Sequence, residues 1–167
     1  MFRPDWVAGR TRTAPYARRM RRVLVLNGPN LGRLGSREPE VYGTTSYDEL
    51  VAACQTLGQE LGLETDVRET NDEAELVGWL HEAVDTGSDV VLNPAAFTHY
   101  SYATRDACAL VTKAGLRLVE VHLSNPLARE GFRHISVVGP VATGTIAGFG
   151  VDSYLLALQL LAVRAVG

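Results

Sequence analysis

Arg22-Val-Leu-Val-Leu-Asn27, closed by the turn Gly28-Pro-Asn30, decides the fold. The run is apolar without alternation, as in a strand covered on both faces, and such strands belong to parallel sheets flanked by helices. Helical patterning follows it. Ser46 with Glu49 makes a capping box, and Tyr47, Leu50, Val51, Cys54, Leu57 and Leu61 recur at helical spacing. A second strand is predicted near Glu64 to Arg68, then a helix capped by Asn71 with Leu76, Val77, Leu80, Ala83 and Val84 as its buried stripe. Ser88 to Asn93 reads as a third strand, Ser101 to Lys113 as a helix, Leu116 to Val121 as a fourth strand, Ile135 to Val138 as a fifth, and Asp152 to Val166 as a closing helix.

Strands alternating with helices imply βαβ units wound right-handedly. The expected fold is therefore α/β: a doubly wound, five-stranded parallel sheet with helices on both faces, in flavodoxin-like order. The 167 residues, 46% of them apolar, suit one domain with a real core. Seven of the 16 basic residues (Arg3, Arg10, Arg12, Arg18, Arg19, Arg21 and Arg22) precede the first apolar run. Residues 1–21 read as a basic, disordered extension without the apolar stretch of a secretory signal, and residues 22–167 as the single catalytic domain. Met20, directly before the first strand, is an alternative translation start. Cys54 and Cys108 lie in apolar helical patterns, where a thiol acts as a small hydrophobe, and the expected compartment is the cytoplasm. No apolar run reaches the roughly 18 residues of a membrane span, so neither a membrane nor a nucleic acid is an expected partner.

In open parallel sheets, ligands bind beyond the carboxyl ends of the strands. The residues after each strand are unusually polar here. A loop of about 18 residues after the first strand holds several glycines, but neither GxGxxG nor GxxxxGK[ST] is present, which weakens a nucleotide-binding reading. Asn93-Pro-Ala-Ala-Phe-Thr-His99 follows the third strand and Glu120-Val-His-Leu-Ser-Asn-Pro126 ends the fourth, so two His, two Asn and a Glu reach one rim. Glu120 and His122 share a strand face and suit either two metal ligands, with His99 as a third, or a carboxylate orienting an imidazole acid. The acid is the preferred reading, with no metal expected. Neither cysteine sits in a loop and no GxSxG elbow appears, which disfavours a nucleophilic triad.

Five strings now carry a specific resemblance. Leu26-Asn-Gly-Pro-Asn-Leu-Gly32, Arg37-Glu-Pro-Glu-Val-Tyr-Gly43, Asn93 to His99, Glu120 to Asn125 and Gly144-Thr-Ile-Ala-Gly-Phe-Gly150 resemble, in order, the signatures of type II 3-dehydroquinases, and the likeness runs from about Val23 to Ala165. It implies a hydro-lyase, 3-dehydroquinate dehydratase. The enzyme would eliminate water in the anti sense from 3-dehydroquinate through an enolate, giving 3-dehydroshikimate in the shikimate pathway or in quinate catabolism. It also implies a homo-oligomer, a dodecamer built of trimers, working without cofactor.

The resemblance implies roles as well. Tyr42 matches the base and Arg37 the cation that favours tyrosinate, since a phenol of reference pKa about 10 is mostly protonated at neutral pH. His122 matches the general acid that protonates the departing hydroxyl, Glu120 its orienting carboxylate, and Asn30 the group positioning a water or the enolate oxygen. Asn93, His99, Leu123 and Ser124 match substrate contacts, Arg133 a contact to the ring hydroxyls, and Asp106 a residue reaching the neighbouring subunit's site. Tyr100, in place of a small Thr, and the stretch after Arg133, which lacks the family's second basic residue, Tyr and later Ser, depart from the pattern. A non-catalytic flavodoxin-like domain holding a small anionic ligand at the same rim is the alternative.

Overall fold

The computed structural model describes residues 20–35 and 45–163. In chain order these form β1 (Arg21–Asn27), α1 (Tyr47–Glu60), β2 (Leu63–Glu69), α2 (Glu73–Thr86), β3 (Asp89–Asn93), α3 (Tyr102–Lys113), β4 (Leu118–His122), β5 (Gly144–Ala147) and α4 (Asp152–Ala162). The five strands form one sheet in the order β2-β1-β3-β4-β5, and every pairing is parallel. This is the flavodoxin-like order expected from the apolar first run.

The unbroken apolar runs of β1 and β3 feed two half-cores, because successive side chains of a strand point to opposite faces. Val23, Val25, Val91, Val119 and Val121 pack with Leu50 and Cys54 of α1 and with Tyr154, Leu158 and Leu161 of α4. Leu24, Leu26, Val90, Leu92 and Leu118 pack on the other face with Leu76 and Leu80 of α2 and Cys108 and Val111 of α3. Each fully buried aliphatic side chain contributes about 1.5–3 kcal/mol. Both cysteines are free and buried, and burial pushes the Cys54 thiol up to about 12, which removes it from nucleophilic chemistry.

Three expectations need correction. Asn71 does not cap α2; Asp72 does, its side chain accepting from the Ala74 amide at 2.8 Å, while Asn71 Oδ1 accepts from the Asn30 amide. Ile135 to Val138 is not a strand, and β5 lies instead at Gly144–Ala147. Val138 is fully buried from a loop and serves the core without pairing in the sheet. Arg21, grouped with the basic extension, belongs to β1 with Arg22: Arg21 pairs with Asp89 at 2.8 Å, and Arg22 with Asp66 at 3.0 Å. Residues 1–19 lie outside the described residues.

The chain leaves β1 toward β2 on one side and later returns to β3 on the other, so the carboxyl ends of β1 and β3 flank the switch point where such sheets bind ligands. Gly28 allows the two loops to meet there. Its amide donates to Asn93 O at 2.8 Å, and a Cβ would stand 2.6 Å from the Pro94 carbonyl oxygen.

Candidate active site

A cleft of about 240 Å³ opens at that switch point. Asn30, Leu31, Arg33 and Leu34 come to it from the loop after β1, Asn93, Ala95 and His99 from the turn after β3, and His122, Leu123 and Ser124 from the end of β4. Arg129 and Arg133 close it from the following turns. Among the described residues, the non-glycine positions with positive φ are Asn30 at 70° and Ala95 at 49°, and both line this cleft. A left-handed conformation costs an ordinary residue about 1–2 kcal/mol. Local hydrogen bonds offset the cost: Asn71 Oδ1 accepts from the Asn30 amide at 2.8 Å, and Asn93 Oδ1 from the Ala95 amide at 3.1 Å.

A buried polar network supports the floor. The Tyr154 hydroxyl donates to Asn27 Oδ1 at 2.7 Å and accepts from Asn93 Nδ2 at 2.7 Å, while Asn27 Nδ2 donates to Arg68 O at 3.0 Å. One phenol thus ties the tips of β1 and β3 together from below. Burial raises the Tyr154 hydroxyl far above its ordinary value. Tyr47 is pushed up to about 12, first by burial and then by the charge of Glu69. Both phenols hold their protons at neutral pH and are unsuited to abstracting one.

Glu120 and His122, two residues apart on β4, do face the same way. His122 Nε2 lies 2.8 Å from Glu120 Oε1, with the carboxylate fully buried and the imidazole 12% exposed. A buried carboxylate requires donors. Thr98 Oγ1 donates to Oε1 at 2.5 Å, and Ser136 Oγ stands 3.3 Å from Oε2. With Nε2 engaged by Glu120, Nδ1 is the imidazole nitrogen left for the cleft. His99 has the reverse arrangement: its Nδ1 lies 2.7 Å from Ile135 O, and since a carbonyl only accepts, Nδ1 carries the proton and Nε2 is open.

The cleft thus unites Asn30, Asn93, His99, His122, Leu123, Ser124 and Arg133, with Glu120 directly behind His122. Arg133 donates from Nε to Glu130 at 2.8 Å and stacks 4.6 Å from the Phe132 ring centroid. Asp106 is not brought to the cleft: it lies on α3, its side chain 75% exposed, paired with Arg105. Tyr42 and Arg37 lie outside the described residues. Sequence reasoning missed Arg33 and Arg129, which join Arg133 so that three arginines and no acidic residue line the cleft among the described residues. It missed Thr98, Ser136 and Tyr154 too, whose hydroxyls carry no pattern of their own in the sequence. Among the described residues, no group of three or more His, Cys, Asp or Glu is arranged to hold a metal.

Comparison with known proteins converges on one family. Residues 21–162 match the family described as Dehydroquinase class II. A protein of Salinispora tropica named 3-dehydroquinate dehydratase is 67% identical over 144 residues, covering 86% of this chain and 99% of that one. The solved type II dehydroquinase of Propionibacterium acnes superposes with a TM-score of 0.82 at 52% identity, over 85% of this chain and 96% of that one. That of Butyrivibrio crossotus gives 0.83 at 41%, over 86% and 99%. On the match over residues 21–162 and the identity to these relatives, the chain belongs to the class II dehydroquinase family.

Proposed function

We propose that this protein is a hydro-lyase that converts 3-dehydroquinate to 3-dehydroshikimate, serving the shikimate pathway or quinate catabolism. The observation that carries the reading is an imidazole held by a fully buried carboxylate at the wall of an arginine-lined cleft. An anionic hydroxy acid is drawn by the guanidiniums, and an oriented acid is what a departing hydroxyl needs. The chemistry proceeds in two steps. Tyr42, favoured as tyrosinate by Arg37, removes the proton beside the ring ketone, and the electron pair moves onto the ketone oxygen as an enolate. The enolate then re-forms the carbonyl while the carbon–oxygen bond to the hydroxyl breaks, and His122 Nδ1 supplies the proton that makes the leaving group water.

Asn30, which lines the cleft from its left-handed turn, suits a water or the enolate oxygen. The Leu123 and Ser124 backbone suits the substrate carboxylate, and His99 Nε2, Asn93 and Arg133 suit its hydroxyls. Asp106, exposed on α3, fits a contact to a neighbouring subunit's cleft. We further propose a dodecamer of trimers in the cytoplasm, with residues 22–167 as the single catalytic domain. Among the described residues no helix is long and apolar enough to cross a membrane.

The test is to mix chelator-treated protein with 3-dehydroquinate and follow the ultraviolet absorbance of the conjugated enone. The signal is expected to grow in the parent and to vanish in Tyr42→Phe with substrate binding retained. Binding without turnover in the parent would favour the non-catalytic domain, and loss of activity on chelation alone would favour a metal lyase.

A further inference from the structure

Glu120 is wholly buried, so its two oxygens must be satisfied from within the protein. The donors form a chain. The Gly139 amide donates to Ser136 Oγ at 2.7 Å, Ser136 Oγ lies 2.8 Å from Thr98 Oγ1, and Thr98 Oγ1 donates to Glu120 Oε1 at 2.5 Å. Each hydroxyl has one proton; that of Thr98 is committed to the carboxylate at the shortest contact, and Ser136, which accepts from the backbone, gives its own either to Thr98 or directly to Glu120 Oε2 at 3.3 Å. Both hydroxyls therefore serve the Glu120 carboxylate, and Thr98 donates to Oε1, the same oxygen that His122 Nε2 meets at 2.8 Å.

The chain's backbone is fixed as well. The Val137 amide donates to Thr98 O at 2.7 Å, and Ile135 O meets His99 Nδ1 at 2.7 Å, so the stretch 135–139 is stitched to the turn that carries Thr98. A Cβ at Gly139 would stand 3.2 Å from Glu120 Oε2, so the glycine lets the backbone of this stretch approach the carboxylate without crowding it.

We propose that Thr98 and Ser136 are positioning residues for the elimination, holding the Glu120 carboxylate in one rotamer and, through it, the His122 ring in the orientation that presents Nδ1 to the cleft. Neither residue lines the cleft. Their effect falls on the step that uses the acid and leaves substrate binding alone. The role rests on the dehydratase reading of the same cleft.

The test compares parent, Thr98→Val, Thr98→Ser and Ser136→Ala. Two readouts are taken: steady-state kinetics with 3-dehydroquinate, and the proton NMR signal of the hydrogen-bonded His122 Nε2–H. Thr98→Val is expected to lower kcat about 10- to 100-fold with KM within about twofold, since a small misplacement of a reacting group costs that much. Thr98→Ser restores kcat, Ser136→Ala shows a smaller loss, and the Nε2–H signal is broadened in Thr98→Val alone among the Thr98 variants. In a Glu120→Gln background the further loss from Thr98→Val falls below about twofold. Unchanged kcat and Nε2–H signal in both Thr98→Val and Ser136→Ala would overturn the proposal, as would an equal loss in the Glu120→Gln background. A parent without turnover would overturn the dehydratase reading, and the NMR comparison would still decide the positioning role.

Discussion

At the scale of single residues, the site is made by polar groups that the fold can bury only because each has a partner. Tyr154 is the clearest case. Its hydroxyl serves Asn27 and Asn93 at once, so Tyr154→Phe leaves two buried amides each one partner short. We expect a loss of about 1–3 kcal/mol, read as a melting temperature lower by several degrees, with KM raised because Asn93 loses its anchor. The Glu120–His122 pair was legible in the sequence, since two residues of spacing on a strand places both side chains on one face. Thr98 and Ser136 were not, because a hydroxyl in a turn string has many uses and only the fold brings these two, 38 residues apart, into contact. The role of Asn71 was misread by one position: a residue that could cap α2 instead accepts from Asn30 across the cleft's edge.

At the scale of elements, apolar runs announced the central strands β1, β3 and β4 and failed at β5. The edge strand β2 was read although it has no such run, as was α1 from its capping box, where Glu49 N donates to Ser46 Oγ and Ser46 N to Glu49 Oε2. β5 has two exposed residues and two partly buried ones, so it carries no apolar run to read, whereas the β-branched stretch 135–138 looked like a strand but is used to cover the core and Glu120. The opposite edge holds a charged cluster. Arg68 joins Asp66 and Glu82, and hydrogen bonds from Arg68 hold both carboxyls below their usual range. Lowered folded values mean that these pairs stabilise the protein above the ordinary carboxylate range near pH 4 and cease to do so as pH falls through the folded values. Arg68→Met should therefore cost about 1 kcal/mol at neutral pH, given the partial exposure of the pairs. The gap between parent and variant in urea melts should narrow between about pH 5 and pH 2. A constant gap would assign the loss to packing on Trp79.

At the scale of the whole molecule, two half-cores clamp a sheet whose switch point carries the cleft, and the exterior keeps large apolar side chains in water. Tyr100, Tyr102, Leu127, Phe132, Ile135 and Phe149 are each more than half exposed, which suits a chain that associates. Light scattering is expected to give about twelve times the 18.1 kDa chain mass, and Asp106→Ala is expected to depress activity although Asp106 lies outside its own cleft. A monomer with full activity would contradict both. That wider assembly was suggested by family resemblance alone, since nothing in composition or periodicity specifies how copies meet.

The central claim is that His122, held by Glu120, is the acid that releases water from a hydroxy acid bound in this cleft. The turnover number of His122→Gln on 3-dehydroquinate tests it most directly. The account predicts kcat lowered by about 10²–10⁴ with substrate still bound; a kcat within a few-fold of the parent would place the chemistry elsewhere.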